Sequence, residues 1–274
     1  MAAAGEDILT RLAGLALVAV VLAGCGSAAA SGLEESAEAT SAETSRVELT
    51  TRAAPYVFTA SGVVDYEGER MQLTASESLP LYGENAKLTG LRLLGRAAYV
   101  GWDVDGKTYW TKQEPAEGSG DPANLLLPGP GSTTKPTDVL RRLLSASDEQ
   151  ENLGKDDVHG EEATHYRAQV SLEKLLEQMP ADERPEGELA EQFGKGTFPV
   201  DIWIDDESRL RRIAMTRSTG TSKWAMTLDL FDYGVAVDVE PPPSEQLISQ
   251  DQLEKMAGPG VVVEPDSGVA EEVP

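Results

Sequence analysis

Two sets of side chains in this 274-residue chain have the types and spacing that invite chemistry. The first is a thiol. Cys25 is the single cysteine, and it closes the run Leu22-Ala23-Gly24-Cys25. One thiol leaves no intrachain disulfide and no thiolate cluster for a metal, so covalent modification is the chemistry open to it. The second set is His159, Glu161, Glu162 and His165, which includes both histidines of the chain and residue types that ligate zinc. Local patterning separates them. His159 falls in an expected turn, Val158-His159-Gly160, and His165 on the solvent face of an expected strand, so no metal site is predicted. Asp103-Val104-Asp105-Gly106 resembles the opening of a calcium loop, but no further ligands follow at the required spacing, and it reads as a turn. The pairs Asp156-Asp157 and Asp205-Asp206 read as solvated turns and not as catalytic carboxylates. No Gly-x-Ser-x-Gly elbow, phosphate loop or dinucleotide fingerprint is present, and the chain is expected not to be an enzyme.

The residues before Cys25 give the thiol its meaning. Leu12 to Leu22 is continuously apolar or small, with Arg11 just ahead of it. A run of this length, within the ~7–15 residues of a secretory h-region, is too short to span a bilayer. Small residues followed by Cys fit the lipobox of a bacterial lipoprotein signal, with a plain secretory signal or a short transmembrane anchor as the alternatives. The n-region departs from the usual pattern, since Glu6 and Asp7 outnumber the basic Arg11. The lipobox likeness implies cleavage before Cys25 and a diacylglyceryl group, with an acyl chain such as palmitate, on the new N-terminal cysteine. This covalent lipid is the only cofactor expected. Each buried CH₂ contributes about 0.8 kcal/mol, so two or three chains hold a protein on a membrane.

Composition narrows the partners. A formal net charge of −24 argues against nucleic-acid binding, which needs basic patches to displace counterions. It also argues against docking on anionic lipid through the protein surface. Membrane association must then come from the lipid.

The elements follow from periodicity. The stretch 25–46 is rich in Ala, Ser, Thr and Glu and reads as a tether, with helical potential between Leu33 and Arg52. Strands are predicted at Tyr56–Val64, Arg70–Ala75, Leu88–Trp102 and Thr108–Lys112, the last two joined as a hairpin through Asp105-Gly106. The Gly- and Pro-rich 114–136 stretch reads as a loop and a candidate lid. Helices capped by Thr137 and Ser171 carry apolar stripes, Val139, Leu140, Leu143 and Leu144 on one and Leu172, Leu175, Leu176 and Met179 on the other. Asp148 to Glu162 reads as an exposed acidic stretch. Further strands are expected at Thr164–Val170, Pro199–Ile204, Leu210–Thr216, Trp224–Leu230 and Val235–Val239, before Pro241-Pro242-Pro243 ends the ladder. Strands, a helical middle and strands again give an α+β class, a single antiparallel sheet with helices on one face. The divisions are 1–24 as signal peptide, 25–46 as lipidated tether, 47–244 as the folded domain and 245–274 as a disordered acidic tail.

The segments Gly160-Glu161-Glu162-Ala163-Thr164-His165-Tyr166-Arg167, Val200-Asp201-Ile202-Trp203-Ile204-Asp205-Asp206 and Leu228-Asp229-Leu230-Phe231-Asp232-Tyr233-Gly234, with Pro241-Pro242 beyond, carry a likeness. Together with the lipobox, the chain resembles the actinobacterial lipoproteins of the LppX and LprG kind, which share the half-open barrel of LolA and LolB. The resemblance implies a curved antiparallel sheet of the 11-stranded type folded over helices, with an apolar cavity for acyl chains. It implies binding or carriage of a lipid or lipoglycan ligand outside the cytoplasm, in the cell envelope. Met71, Leu73, Tyr166, Ile202, Ile213, Met215, Met226 and Leu228, which alternate onto one face of their strands, are the candidate lining; they fill an ordinary core equally well. The same half-barrel also serves sigma-factor regulators, so a protein-binding module with an envelope protein partner is the competing reading.

Overall fold

A computed structural model describes residues 35–53, 56–77, 85–95, 97–113, 136–178, 196–219 and 222–257. The chain opens with helix α1 at 35–41 and then forms strands β1 Thr44–Ala53, β2 Tyr56–Asp65, β3 Arg70–Glu77, β4 Ala86–Leu94, β5 Ala97–Val104 and β6 Lys107–Gln113. Helix α2 Pro136–Ser145 leads into β7 Ser147–Val158 and β8 Glu161–Ser171, and helix α3 Leu172–Glu177 follows. Strands β9 Thr197–Ile204, β10 Leu210–Thr219 and β11 Ser222–Phe231 complete the main sheet. A 3₁₀ turn at Ser244–Gln246, the short β12 Leu247–Ile248 and helix α4 Gln250–Ala257 end the described chain.

All twelve strands form one sheet in the order β12-β6-β5-β4-β3-β2-β1-β11-β10-β9-β8-β7. Neighbours are antiparallel except β12, which pairs with β6 in parallel. Strand β1 joins the two halves by pairing with both β2 and β11. The sheet is curved and unclosed. Its main core cluster draws residues from β1–β3, β8–β11 and helices α1, α2 and α3, so the sheet wraps one face around those helices. Close strand approach helps it bend: a β-carbon on Gly62 of β2 would overlap the carbonyl oxygen of Gln72 on β3. Only glycine fits there. A second cluster, with Trp102, Val104, Leu253 and Ala257, seats α4 against β4–β6, and Leu91 touches both clusters.

Most strands form where alternation places them, and the Asp105-Gly106 turn closes β5–β6 with both residues at positive φ (52° and 76°), the form a two-residue hairpin favours. Several expectations are corrected. The stretch 25–46 is not a tether to its end: α1 packs into the core through Ala37, and β1 begins at Thr44, where helical potential had been expected. Leu88–Trp102 is two strands broken at Gly95. Asp148–Glu162 is largely strand β7, an edge whose exposed acidic side chains and register shifts discourage further pairing. Residues 235–239 form no strand. Helix α2 begins at Pro136, ahead of the expected cap Thr137; proline is tolerated in a first turn. The 245–274 division is ordered up to Ala257, and α4 with β12 covers the β6 edge. Cys25 and most of the 114–136 loop lie outside the described residues.

Candidate functional site

Strand pairing sets side chains of the concave face into rows. One row runs Tyr166, Ile202, Ile213, Leu228, Leu49 and Ala60 across six strands. The next runs Ala168, Val200, Met215, Met226, Thr51 and Phe58. Toward the other end, Leu230, Val47, Gly62, Leu73 and Leu91 are in register, with Val64, Met71 and Leu93 beside them. The eight residues expected on one face are therefore together: Met71, Leu73, Ile202, Ile213, Met215 and Met226 are buried in the main cluster, and Tyr166 and Leu228 pack against it half-buried. Helices α1, α2 and α3 cover this face through Ala37, Leu143, Leu172 and Leu175. Ser171 caps α3, its hydroxyl accepting a hydrogen bond from the Lys174 N–H at 3.4 Å.

The face is not uniformly sealed. Leu49, Phe58, Leu144, Tyr166, Leu176, Trp224 and Leu228 stay partly open to solvent while touching the core. These are the apolar groups that could meet a ligand. Leu49, Phe58, Leu144, Leu176 and Trp224 are additions to the expected set. For Leu49 the signal was available, since Val47, Leu49 and Thr51 alternate with Arg46, Glu48 and Thr50, but Ala- and Glu-rich neighbours masked it; Phe58 lies within the strand expected at Tyr56–Val64.

The opposite, convex face holds both histidines, and it keeps them apart. His159 Nε2 lies 2.9 Å from Asp229 Oδ2, with its ring stacked on Phe231 at 4.3 Å. His165 Nε2 lies 2.8 Å from Asp201 Oδ1 and stacks on Trp203 at 4.1 Å. Arg212 reaches Asp229 through two hydrogen bonds of 2.5 and 2.6 Å, Arg167 reaches Asp201 at 2.8 Å, and Trp203 Nε1 donates to Asp156 at 3.1 Å. Each histidine is thus held by a carboxylate shared with an arginine. The network fastens the β7–β8 hairpin to β9–β11, over a small buried cluster of Val158, Ala163 and Trp203. Among the described residues no group of three or more metal-ligating side chains is assembled.

At the end of the sheet where β1 begins, polar groups close the concave side. Asp205 accepts hydrogen bonds from the N–H groups of Glu207 and Arg209 and from the Nε atoms of Arg209 and Arg211. Expected to be a solvated turn residue, Asp205 is instead buried because two arginines fold back over it; Asp206 is exposed and pairs with Lys155 at 2.6 Å. Tyr233 donates to the Leu210 carbonyl, and the Leu210 N–H donates to Thr40 of α1 at 2.8 Å. Burial pushes the Tyr66 and Tyr233 hydroxyls well above the ordinary tyrosine range, so both remain protonated.

Asp65 closes the β2–β3 turn at the same end. Burial pushes its carboxyl up, but the Gly68 N–H, the Arg70 hydrogen bond and the Arg70 charge together hold it below its ordinary value of 3.8. A depressed folded-state value stabilises the fold above the unfolded value and loses that contribution as pH falls through the folded one. The urea midpoint is therefore expected to drop as pH is lowered from about 6 to about 3, and to drop less steeply in Asp65→Asn. An unchanged slope would assign the acid sensitivity to other groups.

The family model of the LppX_LprAFG lipoproteins matches residues 28–239. The chain belongs to the LppX_LprAFG lipoprotein family. The match takes in β1 to β11, whereas β12 and α4 lie beyond it. Among curated proteins, an uncharacterised 31.2 kDa protein of Streptomyces griseus is 28% identical over 121 residues, 43% of this chain and 40% of that protein. The alignment thus spans less than half of either. Among solved structures, Mycobacterium tuberculosis lipoprotein LppX is similar at 15% identity, with 78% of this chain and 98% of that one covered and a TM-score of 0.45. LprF from Mycobacterium bovis is similar at 13% identity, with 79% and 97% covered and the same TM-score of 0.45. Among the described residues no helix is long and apolar enough to cross a membrane.

Proposed function

We propose that this LppX_LprAFG lipoprotein is anchored outside the cytoplasm by a diacylglyceryl and acyl lipid on Cys25 and binds or carries the acyl chains of a lipid or lipoglycan on its concave face. The observation that carries the reading is the continuous apolar face under the helices, part of it half-open. Apolar surface left incompletely covered beside a packed core is the place where an acyl chain gains most by leaving water, about 0.8 kcal/mol for each buried CH₂. Methionines at Met71, Met215 and Met226 add a deformable lining, since an unbranched thioether repacks around different shapes. Membership of a lipoprotein family and the Leu22-Ala23-Gly24-Cys25 run support the anchor.

The test uses the full chain carrying Cys25→Ala, recovered without the anchor, extracted into organic solvent and analysed by mass spectrometry. Stoichiometric lipid is expected, together with saturable uptake of a fluorescent fatty acid. A lipid-free extract combined with no uptake would sink the proposal.

A further inference from the structure

On the six-strand part of the concave face, a single inward position is charged. Where β8, β9, β10, β11, β1 and β2 lie side by side, every second residue points inward. Those positions run from Thr164 to Val170, Phe198 to Ile204, Ile213 to Arg217, Trp224 to Leu230, Val47 to Ala53 and Tyr56 to Gly62. All are apolar, aromatic, glycine or threonine except Arg217. Alternation on β10 fixes its side, since Ile213 and Met215 are buried in the main core cluster and Arg217 is the next residue of the same parity. Its register partner on β11 is Trp224, which packs half-buried against that cluster. On the other flank β9 brings the buried Phe198 to the same level, because Met215 pairs with Val200 and Phe198 with Val170.

A guanidinium is costly in such a row. Arginine is seldom buried unless its donors are matched by acceptors. The Arg217 side chain is half-buried, and burial pushes its guanidinium below the ordinary arginine range. It stays cationic all the same, since arginine does not lose its proton in proteins. A fixed positive charge therefore ends a strip of apolar surface in a chain whose net charge is −24. An acyl lipid with an anionic head has the matching form, an apolar chain carrying a negative charge at one end. The planar fork of arginine binds a carboxylate or a phosphate through two parallel hydrogen bonds, and partial burial strengthens the pair relative to water. From Trp224 to Leu230 the strand runs six residues, roughly 20 Å, so a chain whose head meets Arg217 can lie along β11 beside the partly open Leu228, Leu49 and Phe58.

We propose that Arg217 is the head-group site of the concave face, its guanidinium pairing with the carboxylate or phosphate of an anionic acyl lipid whose chains lie along the half-open rows. This rests on the acyl-binding reading above and narrows its ligand to anionic lipids.

The full chain carrying Cys25→Ala is titrated with a fluorescent fatty acid, at a pH where it is ionised, and with its methyl ester, which has the same chain and a neutral head. The acid is expected to bind about tenfold more tightly, the scale of hydrogen bonds to a charged group. Adding Arg217→Gln should abolish the preference, with acid affinity falling to the level of the ester. Arg217→Lys, which keeps the charge but not the fork, should keep part of it and serves as the comparison if the glutamine variant does not fold. Displacement of the bound ester by phosphatidic acid, against diacylglycerol of the same chains, tells the two head groups apart. A preference for phosphatidic acid that disappears in Arg217→Gln assigns a phosphate, and a preference confined to the fatty acid assigns a carboxylate. Acid and ester binding alike, with phosphatidic acid no better than diacylglycerol, overturns the head-group site, and so does a preference that survives in Arg217→Gln. Binding of none of these probes overturns the acyl-binding reading itself.

Discussion

Replacing Asp205 by alanine is expected to lower the stability of the fold by about 3–5 kcal/mol, because it strands a buried guanidinium. The side chains of Asp205 and Arg211 are only 3% and 6% exposed, with Asp205 Oδ2 2.8 Å from Arg211 Nε and 2.9 Å from Arg209 Nε. Removing Asp205 leaves the Arg211 charge out of water with only the exposed Glu161 carboxylate, 3.8 Å away, to balance it, whereas replacing both partners of a buried pair by apolar groups is often neutral. Asp205→Ala also frees the N–H groups of Glu207 and Arg209, which the other carboxylate oxygen accepts. The effect should spread to α1. Arg209 and Arg211 sit over the Tyr233 ring at 4.9 and 5.3 Å, Tyr233 bonds the Leu210 carbonyl, and the Leu210 N–H holds Thr40. Urea unfolding of Asp205→Ala gives the number, and hydrogen exchange in α1 should accelerate with it. The double variant Asp205→Leu, Arg211→Met is expected to recover the part of the loss that comes from the buried Arg211 charge, and not the part from the freed N–H groups of Glu207 and Arg209. A single-variant cost below about 1 kcal/mol would mean that water or the nearby Glu161 carboxylate suffices for Arg211.

The inward faces of β8 to β11 were legible in the sequence because alternation there is nearly perfect, as Trp224, Met226, Leu228 and Leu230 against Ala225, Thr227 and Asp229 show. Strand β1 was not. Its Thr and Arg residues sit beside an Ala- and Glu-rich stretch whose helix propensity is real, and α1 uses it; pairing with both β2 and β11 then overrides propensity three residues later. Strand β7 was hidden for a related reason. As an edge strand it buries almost nothing, so it carries charges where a central strand carries valines, and only its pairing with β8 defines it. The Asp205 knot was beyond local reading because a carboxylate in an Asp-Asp pair looks the same whether water or two returning arginines surround it. The candidate site was half legible: alternation assigned its residues to one face, but which of them stay partly open depends on how α1, α2 and α3 lie across the sheet.

That difference in exposure separates a filled core from a ligand-bearing surface, and a pair of substitutions in one register row tests it. Ile202 and Leu228 lie in the same row, each paired with Ile213, yet Ile202 is 0% exposed while Leu228 is half-buried. Ile202→Ala removes fully packed methyl groups and is expected to cost about 2–5 kcal/mol in urea unfolding, with fatty-acid affinity of the folded fraction little changed. Leu228→Asn is expected to do the reverse. Its effect on folding should stay near 1 kcal/mol, because part of the side chain already meets solvent. A leucine side chain buried fully against an acyl chain contributes ~1.5–3 kcal/mol, so fatty-acid affinity should weaken by roughly tenfold to a hundredfold. Tyr166, half-buried in the same row, should follow Leu228 when replaced by serine. Should binding and stability instead fall together in all three variants, the row is core throughout, and acyl chains have no seat on it.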